Sequence, residues 1–240
     1  MSRGATTAPQ TESLVAVSHG TSDPAGQRAI NLLVEEIRRA AEVAVHQSFV
    51  DVQEPRASTL LRGLSDEEPH AVLVPLLLSR GVHVDQDLTE AAALRTDTRI
   101  APALGPHPSL ALVIEHRLVQ AGWRRGEPVI LAGAGTRLAQ GVHDCQQVAN
   151  LLAGLLGVQV TAAFVAAASP SLGEAVAAAR AANPQHRVVV ASYLLAPGYF
   201  QSLVERCGAD LVSDPLLAPE AEVPAELVNL VLERFTAAQA

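Results

Sequence analysis

The sequence predicts an α/β protein of two tandem homologous domains, each a four-stranded parallel sheet flanked by helices. Three observations carry that prediction. Short apolar runs of strand length alternate with segments whose apolar residues recur at helical spacing. The apolar runs end in turn residues and polar side chains. The pattern then repeats once along the chain, at a spacing of about 115 residues (Thr21 to Thr136, 136 − 21 = 115).

The elements follow in order. LVAV (14–17) is a first strand ending in Ser18-His19-Gly20-Thr21, and VILA (129–132) is its copy, ending in Gly133-Ala134-Gly135-Thr136. After the first strand, Ile30, Leu33, Val34, Ile37, Ala40 and Ala41 fall on one face of a helix. Adding 115 gives Cys145, Val148, Ala149, Leu152, Leu155 and Leu156, apolar at every position. Second strands are predicted from Ser48 to Val52 and from Val160 to Ala166, running into Pro55 and Pro170, again 170 − 55 = 115 apart. Third strands lie in HAVLVPLLL (His70 to Leu78) and HRVVVASYLL (His186 to Leu195), shifted by 186 − 70 = 116, and the shift is 198 − 81 = 117 at Gly81 and Gly198. The fourth strand of the first copy leads into Leu104-Gly105-Pro106-His107-Pro108. Such continuous apolar runs suit strands covered on both faces, joined by right-handed βαβ crossovers. The predicted organisation is a disordered lead-in over 1–12, a first domain over 13–122 and a second over 123–240, joined near residues 122–128.

Composition excludes several classes of function. With 49% hydrophobic residues the chain has the material for a core, so disorder throughout is ruled out. A net charge of −8 without any Lys/Arg block argues against nucleic acid or an anionic membrane as partner. The longest apolar runs fall short of the ~20 residues that span a bilayer. MSRGATTAPQTE lacks the apolar stretch of a signal peptide, so a soluble, cytoplasmic protein is expected. Cys145 and Cys207 have no metal-ligand spacing and are expected to be packing residues.

Ligands of parallel sheets bind at the carboxyl ends of the strands, so the residues after each apolar run are the place to look for chemistry. In the first copy these are Ser18, His19 and Thr21, then Asp51, Gln53 and Glu54, then Ser79, Arg80 and His83. The second copy has Ala134, Ala166 and Phe200 where the first has His19, Asp51 and His83. A lone strand-end histidine is commonly a cap or turn residue. Two histidines and a carboxylate in one copy, each replaced by an inert side chain in its twin, point instead to a functional cluster that one copy has lost. His107, between two prolines, reads as part of a rigid turn, and His46, His70, His116, His143 and His186 as solvated surface residues. Gly133-Ala134-Gly135 begins like a dinucleotide fingerprint, but its third glycine position is Leu138 and no acidic residue follows about 20 residues on.

At these residues the chain resembles the class II chelatases of tetrapyrrole biosynthesis, the sirohydrochlorin cobalt- and ferrochelatases of the CbiX/SirB group. LVAVSHGTSDPAG resembles that family's strand, His-Gly-Ser/Thr and downstream Asp-Pro. SFVDVQEP resembles its acid and Glu-Pro segment, and VLVPLLLSRGVHVDQDL its Gly-x-His-x-x-x-Asp signature, with Leu88-Thr89 in place of the usual Ile-Pro. The resemblance implies that His19 and His83 are the essential histidines and that Asp51 is an additional metal contact where relatives often carry Glu. It implies that the second domain is catalytically silent.

What the resemblance implies for function is a lyase-type metal chelatase, inserting Fe²⁺ or Co²⁺ into sirohydrochlorin for sirohaem or cobalamin synthesis. The metal is then a substrate and no cofactor is expected. Neutral imidazole suits Fe²⁺, Co²⁺ and Ni²⁺ and takes up protons near neutral pH, and a carboxylate offsets the charge of the ion. Ser18, Thr21, Arg80 and Arg137 are expected anchors for the macrocycle's carboxylates. The chain is expected to be a monomer acting as a covalent pseudo-dimer, with the site in the cleft between its halves. A non-catalytic metal or tetrapyrrole carrier or sensor is the alternative of another class, and an ordinary sugar- or nucleotide-binding α/β protein a third.

Overall fold

The computed structural model describes residues 12–65, 70–79 and 81–239, with residues 82–85 described through their backbone. The first half runs β1 (Glu12–Ser18), α1 (Pro24–Ala40), β2 (Val45–Phe49), α2 (Ala57–Gly63), β3 (His70–Pro75), α3 (Val82–Ala92), β4 (Thr98–Ile100) and α4 (Pro108–Ala121). The second half repeats it with β5 (Val129–Gly133), α5 (Ala139–Leu156), β6 (Val160–Phe164), α6 (Leu172–Ala182), β7 (Val189–Tyr193), α7 (Tyr199–Glu205), β8 (Leu211–Val212) and α8 (Ala225–Ala237). The two sheets have the same order, β2-β1-β3-β4 and β6-β5-β7-β8, and every strand pair is parallel. The predicted fold class is the observed one.

Local chemistry sets the element ends. Asp23 caps α1, its Oδ1 accepting from the N–H of Ala25 at 2.7 Å and of Gly26 at 3.3 Å, and Pro24 fills the first helical position, where no N–H is needed. The buried stripe Ile30, Leu33, Val34 and Ile37 is the one the spacing predicts. β2 and β6 end at Phe49 and Phe164, short of the expected Val52 and Ala166. Val52 and Ala167, 115 positions apart, both turn the chain with positive φ (64° and 59°), so Asp51 lies in the loop after β2 and not on the strand. β3 stops at Pro75, while Leu76 continues the apolar run as a buried core residue.

The halves share one core. Alternate residues of each sheet face inward, Leu14 and Ala16 of β1 with Val72 and Val74 of β3, and Val129 and Leu131 of β5 with Val189 and Ala191 of β7. Between the two inner faces lies a layer made of α1, α4, α5 and α8. α2 and α3 cover the outer face of the first sheet, and α6 and α7 that of the second.

Within the central layer the last helix of each half is exchanged. α4 packs on β7, β8 and α5 of the second half, while α8 packs on β3 and α1 of the first, and the two helices also meet each other. An arginine pins each one at equivalent positions (234 − 117 = 117). Arg117 of α4, only 4% exposed, donates from Nε and Nη2 to the Leu216 carbonyl at 3.0 and 2.8 Å, and from Nη1 to Gln120 Oε1 at 2.8 Å. Arg234 of α8 donates to the carbonyls of Ala103 and Leu104, each at 3.0 Å. Burial pulls the Arg117 guanidinium down from its ordinary pKa, and Asp214 opposes that pull. His107 is the cap of α4, Nδ1 accepting from the Ser109 N–H at 3.2 Å, and its Nε2 lies 3.3 Å from Glu233 Oε1 of α8. The imidazole read as an incidental part of a rigid turn therefore joins the halves.

Arg117→Ala leaves the buried Leu216 carbonyl without either donor. The expected loss is about 1–3 kcal/mol of unfolding free energy, measured as a lower urea midpoint. An unchanged midpoint would show that the exchanged helix is held by its apolar contacts alone.

Candidate active site in the cleft between the halves

Two equivalent turns build the site. At Gly20 φ is +92° and a Cβ would lie 2.1 Å from the Asp51 carbonyl oxygen; at Gly135 φ is +93° and a Cβ would lie 1.7 Å from the Ala166 oxygen. Only glycine fits either place, on both counts. The close approach lets the loop after the neighbouring strand hydrogen-bond to the turn. Val50 and Asp51 donate to the carbonyls of Ser18 and His19 at 2.9 Å each, as Val165 and Ala166 do to Gly133 and Ala134 at 2.9 and 3.0 Å. This brings His19 and Asp51 side by side.

In the first half the turn is braced further. Gln53 Oε1 accepts from the Thr21 N–H at 3.0 Å and Gln27 Nε2 donates to the Thr21 carbonyl at 2.8 Å, whereas the bond from the Asp23 N–H to Thr21 Oγ1 at 3.1 Å repeats in the second half between the Leu138 N–H and Thr136 Oγ1 at 3.1 Å. Gln53 has no counterpart in the second half, where Ala168 takes its place.

The strand ends of both halves open onto a cleft of about 640 Å³, with His19, Leu78 and Ser79 on one side and Arg137, Tyr193 and Phe200 on the other. Tyr193 reaches across, its hydroxyl donating to the Leu78 carbonyl at 3.0 Å. A larger cavity, of about 860 Å³, runs along α6 past Ala175, Ala178, Ala179 and Ala182 and holds none of the predicted site residues.

The predicted residues fare differently. His19 and Arg137 are exposed and line the cleft. Asp51 stands beside His19, 59% exposed, with Oδ1 3.0 Å from Arg56 Nη2. The Val52 backbone N–H, with the Arg56 guanidinium and His19, holds its carboxyl below the usual carboxylate range. Ser18 does not face the cleft: it continues the inward alternation of Leu14 and Ala16, is 4% exposed, and its Oγ is buried without a partner among the described residues. Thr21 spends its hydroxyl on its own turn and is not among the residues lining the cleft. The structure thus engages the Ser18 carbonyl and the Thr21 hydroxyl in the turn and places neither side chain in the cleft wall. His83 belongs to the first turns of α3, but its side chain, like the whole of Arg80, lies outside the described residues. Among the described residues no three His, Cys, Asp or Glu side chains are grouped to hold one ion.

Cys145 also lines the cleft. Burial, with Asp144 second, pushes its thiol up to about 12, so the free thiol keeps its proton near neutral pH. Burial likewise lifts the Tyr193 hydroxyl well above its ordinary value and keeps it a donor. Tyr193 was beyond sequence reasoning, since its partner is 115 residues away.

The family model CbiX matches residues 13–121 and again 128–206. The chain belongs to the CbiX family. The match covers both halves, so the repeat is two CbiX units in tandem. Comparison with curated protein sequences finds no match. Among solved structures, SirB from Bacillus subtilis with Fe³⁺ is 22% identical with a TM-score of 0.79, each chain covering 96% of the other. The sirohydrochlorin chelatase SirB from Bacillus subtilis subspecies spizizenii in complex with cobalt is 20% identical, TM-score 0.72, covering 95% of this chain and 96% of that one. DR2241 from Deinococcus radiodurans, a multi-domain protein with structural similarity to chelatases, is 18% identical with TM-score 0.68, covering 94% of this chain and 55% of that one. At these identities the likeness is one of fold, and it extends over both halves. Among the described residues no helix of this CbiX protein is long and apolar enough to cross a membrane.

Two measurements check the cleft. Tyr193→Phe removes only the hydroxyl that joins the halves and is expected to cost about 1 kcal/mol, read by urea unfolding. The Cys145 thiol, raised from 9.0 to about 12 in the folded protein, holds its proton where the unfolded chain releases it. Its contribution to stability is complete below pH 9 and is lost as pH rises toward 12. Cys145→Ser is expected to flatten the stability profile in that window, and an identical slope would show that another group sets it.

Proposed function

We propose that this protein is a sirohydrochlorin chelatase, a lyase-type enzyme that inserts Fe²⁺ or Co²⁺ into the macrocycle. One observation carries the reading: the CbiX unit occurs twice, and only the first copy places a histidine, His19, at the strand end facing the shared cleft. The two SirB structures, one with Fe³⁺ and one with cobalt, support it through a fold shared along nearly the whole chain.

The reaction exchanges two pyrrole N–H protons for a divalent ion that sheds water. His19 and His83 hold the ion and accept the protons, because imidazole is both a good ligand for Fe²⁺ and Co²⁺ and a base near neutral pH. Asp51, kept ionised by its surroundings, offsets the charge of the ion and favours loss of the ring protons. Arg137 meets a carboxylate arm of the macrocycle from the second half, and Arg80 another from the first. The metal enters as substrate, and the two halves act as a covalent pseudo-dimer in a monomeric chain.

The test is anaerobic absorbance of sirohydrochlorin with limiting protein and Co²⁺ or Fe²⁺. Wild type is expected to convert many equivalents, and His19→Ala to lose about 10²–10⁴-fold in rate. Stoichiometric binding without turnover would make the protein a carrier. Equal rates in wild type and His19→Ala would remove His19 from the mechanism.

A further inference from the structure

The second copy has no histidine at the place of His83; it has Phe200 (200 − 83 = 117). The chain has seven aromatic residues (one Trp, two Tyr, four Phe) and hides most of them: Phe49, Phe164, Tyr193 and Phe235 are buried, and Trp123 is half-buried. The remaining two are adjacent and open to solvent at the start of α7, Tyr199 at 72% and Phe200 at 40%, with ring centroids 6.0 Å apart. Exposing two neighbouring rings costs apolar area that folding alone would bury.

Their position is fixed against the catalytic turn. A Cβ on Gly26, in the first turn of α1, would lie 2.4 Å from the Pro197 carbonyl oxygen, and one on Gly198 would lie 3.8 Å from Thr21 Oγ1. The segment that leads into Tyr199 and Phe200 thus packs directly on the segment that follows His19. Phe200 and His19 line the same cleft, with the exposed, cationic Arg137 also in its wall. An apolar ring face, an imidazole and a guanidinium around one cavity suit a ligand that is flat, conjugated and bears carboxylates.

We propose that Phe200, with Tyr199 beside it, is the stacking surface for the macrocycle, holding the flat ring in the cleft with His19 while Arg137 pairs with a carboxylate. The inference rests on the chelatase reading above and gives the second copy a role in substrate binding. Offset stacking on a large conjugated ring adds to the area the ring buries, so truncation weakens binding of the macrocycle without touching the ion.

The experiment is an anaerobic titration of metal-free sirohydrochlorin, followed by its absorbance and fluorescence, together with steady-state kinetics, for wild type, Phe200→Ala, Phe200→Leu and Phe200→Trp. Phe200→Ala is expected to weaken macrocycle binding about tenfold, with the loss in KM and not in kcat and with Co²⁺ affinity unchanged. Phe200→Leu, which keeps apolar bulk and guards against misfolding, is expected to retain the defect, and Phe200→Trp to restore binding. Wild-type turnover with an unaltered KM in both Phe200→Ala and Phe200→Leu overturns the stacking surface and leaves the chelatase intact. A wild type that neither binds nor metallates sirohydrochlorin overturns the chelatase reading, and the stacking surface with it.

Discussion

The structure depends on the exchange of its two terminal helices. Each sheet has an inner apolar face that α1 or α5 covers only in part, and the rest is covered by a helix from the other half. Leu110, Ile114 and Leu118 of α4, and Leu227, Leu230 and Val231 of α8, are at most 1% exposed. Removing either helix would open the core of the half to which it does not belong in sequence. Arg117 and Arg234 anchor these helices through carbonyls of the opposite half, bonds that only the assembled pair satisfies. Two units that complete each other's cores cannot separate without exposing both.

Within that frame the two turns show which features are structural and which are free to change. Gly20 and Gly135 admit no side chain, and the hydrogen bonds from the loop after β2 or β6 repeat with the same lengths to within about 0.1 Å. These belong to the backbone, so a copy that lacks His19 or Asp51 still needs them. Ala134 and Ala166 keep the backbone bond between them while offering no side chain to a ligand. The first copy adds what the fold does not require, an imidazole in the cleft, a carboxylate beside it and the Gln53 brace under Thr21.

Much of the fold was legible because the chain repeats itself. Periodicity at one position was checked by the position 115 residues later, which gave element types, their order and the shared strand ends. Boundaries read from apolar runs were less exact: the run through Val50 continues past β2, because Val50 is buried in the outer core after the strand has turned away. The burial of Ser18 was available in principle, since the period of two that sends Leu14 and Ala16 inward sends Ser18 with them. The helix exchange was not available, because an apolar stripe shows which face of α4 is buried but not which sheet buries it. Phe200 was read as inert from its side-chain class alone; the missing signal was its exposure, shared with the adjacent Tyr199, in a chain that hides most of its aromatics.

The asymmetry between the copies has a physical rationale on the proposed reading. A flat ring lying between two equivalent walls would meet histidines on both faces if neither copy had changed. An ion arriving at one face must displace two N–H protons, and a second imidazole site behind the ring would compete for the ion and draw it away from the nitrogens. Replacing that second site with an apolar surface removes the competition and supplies a face on which the ring can rest. The charge balance agrees with that reading, since the carboxylate of Asp51 is beside His19 while the cationic Arg137 lines the opposite wall of the cleft. On that reading the first copy holds the reacting ion, and the second supplies the face on which the ring rests.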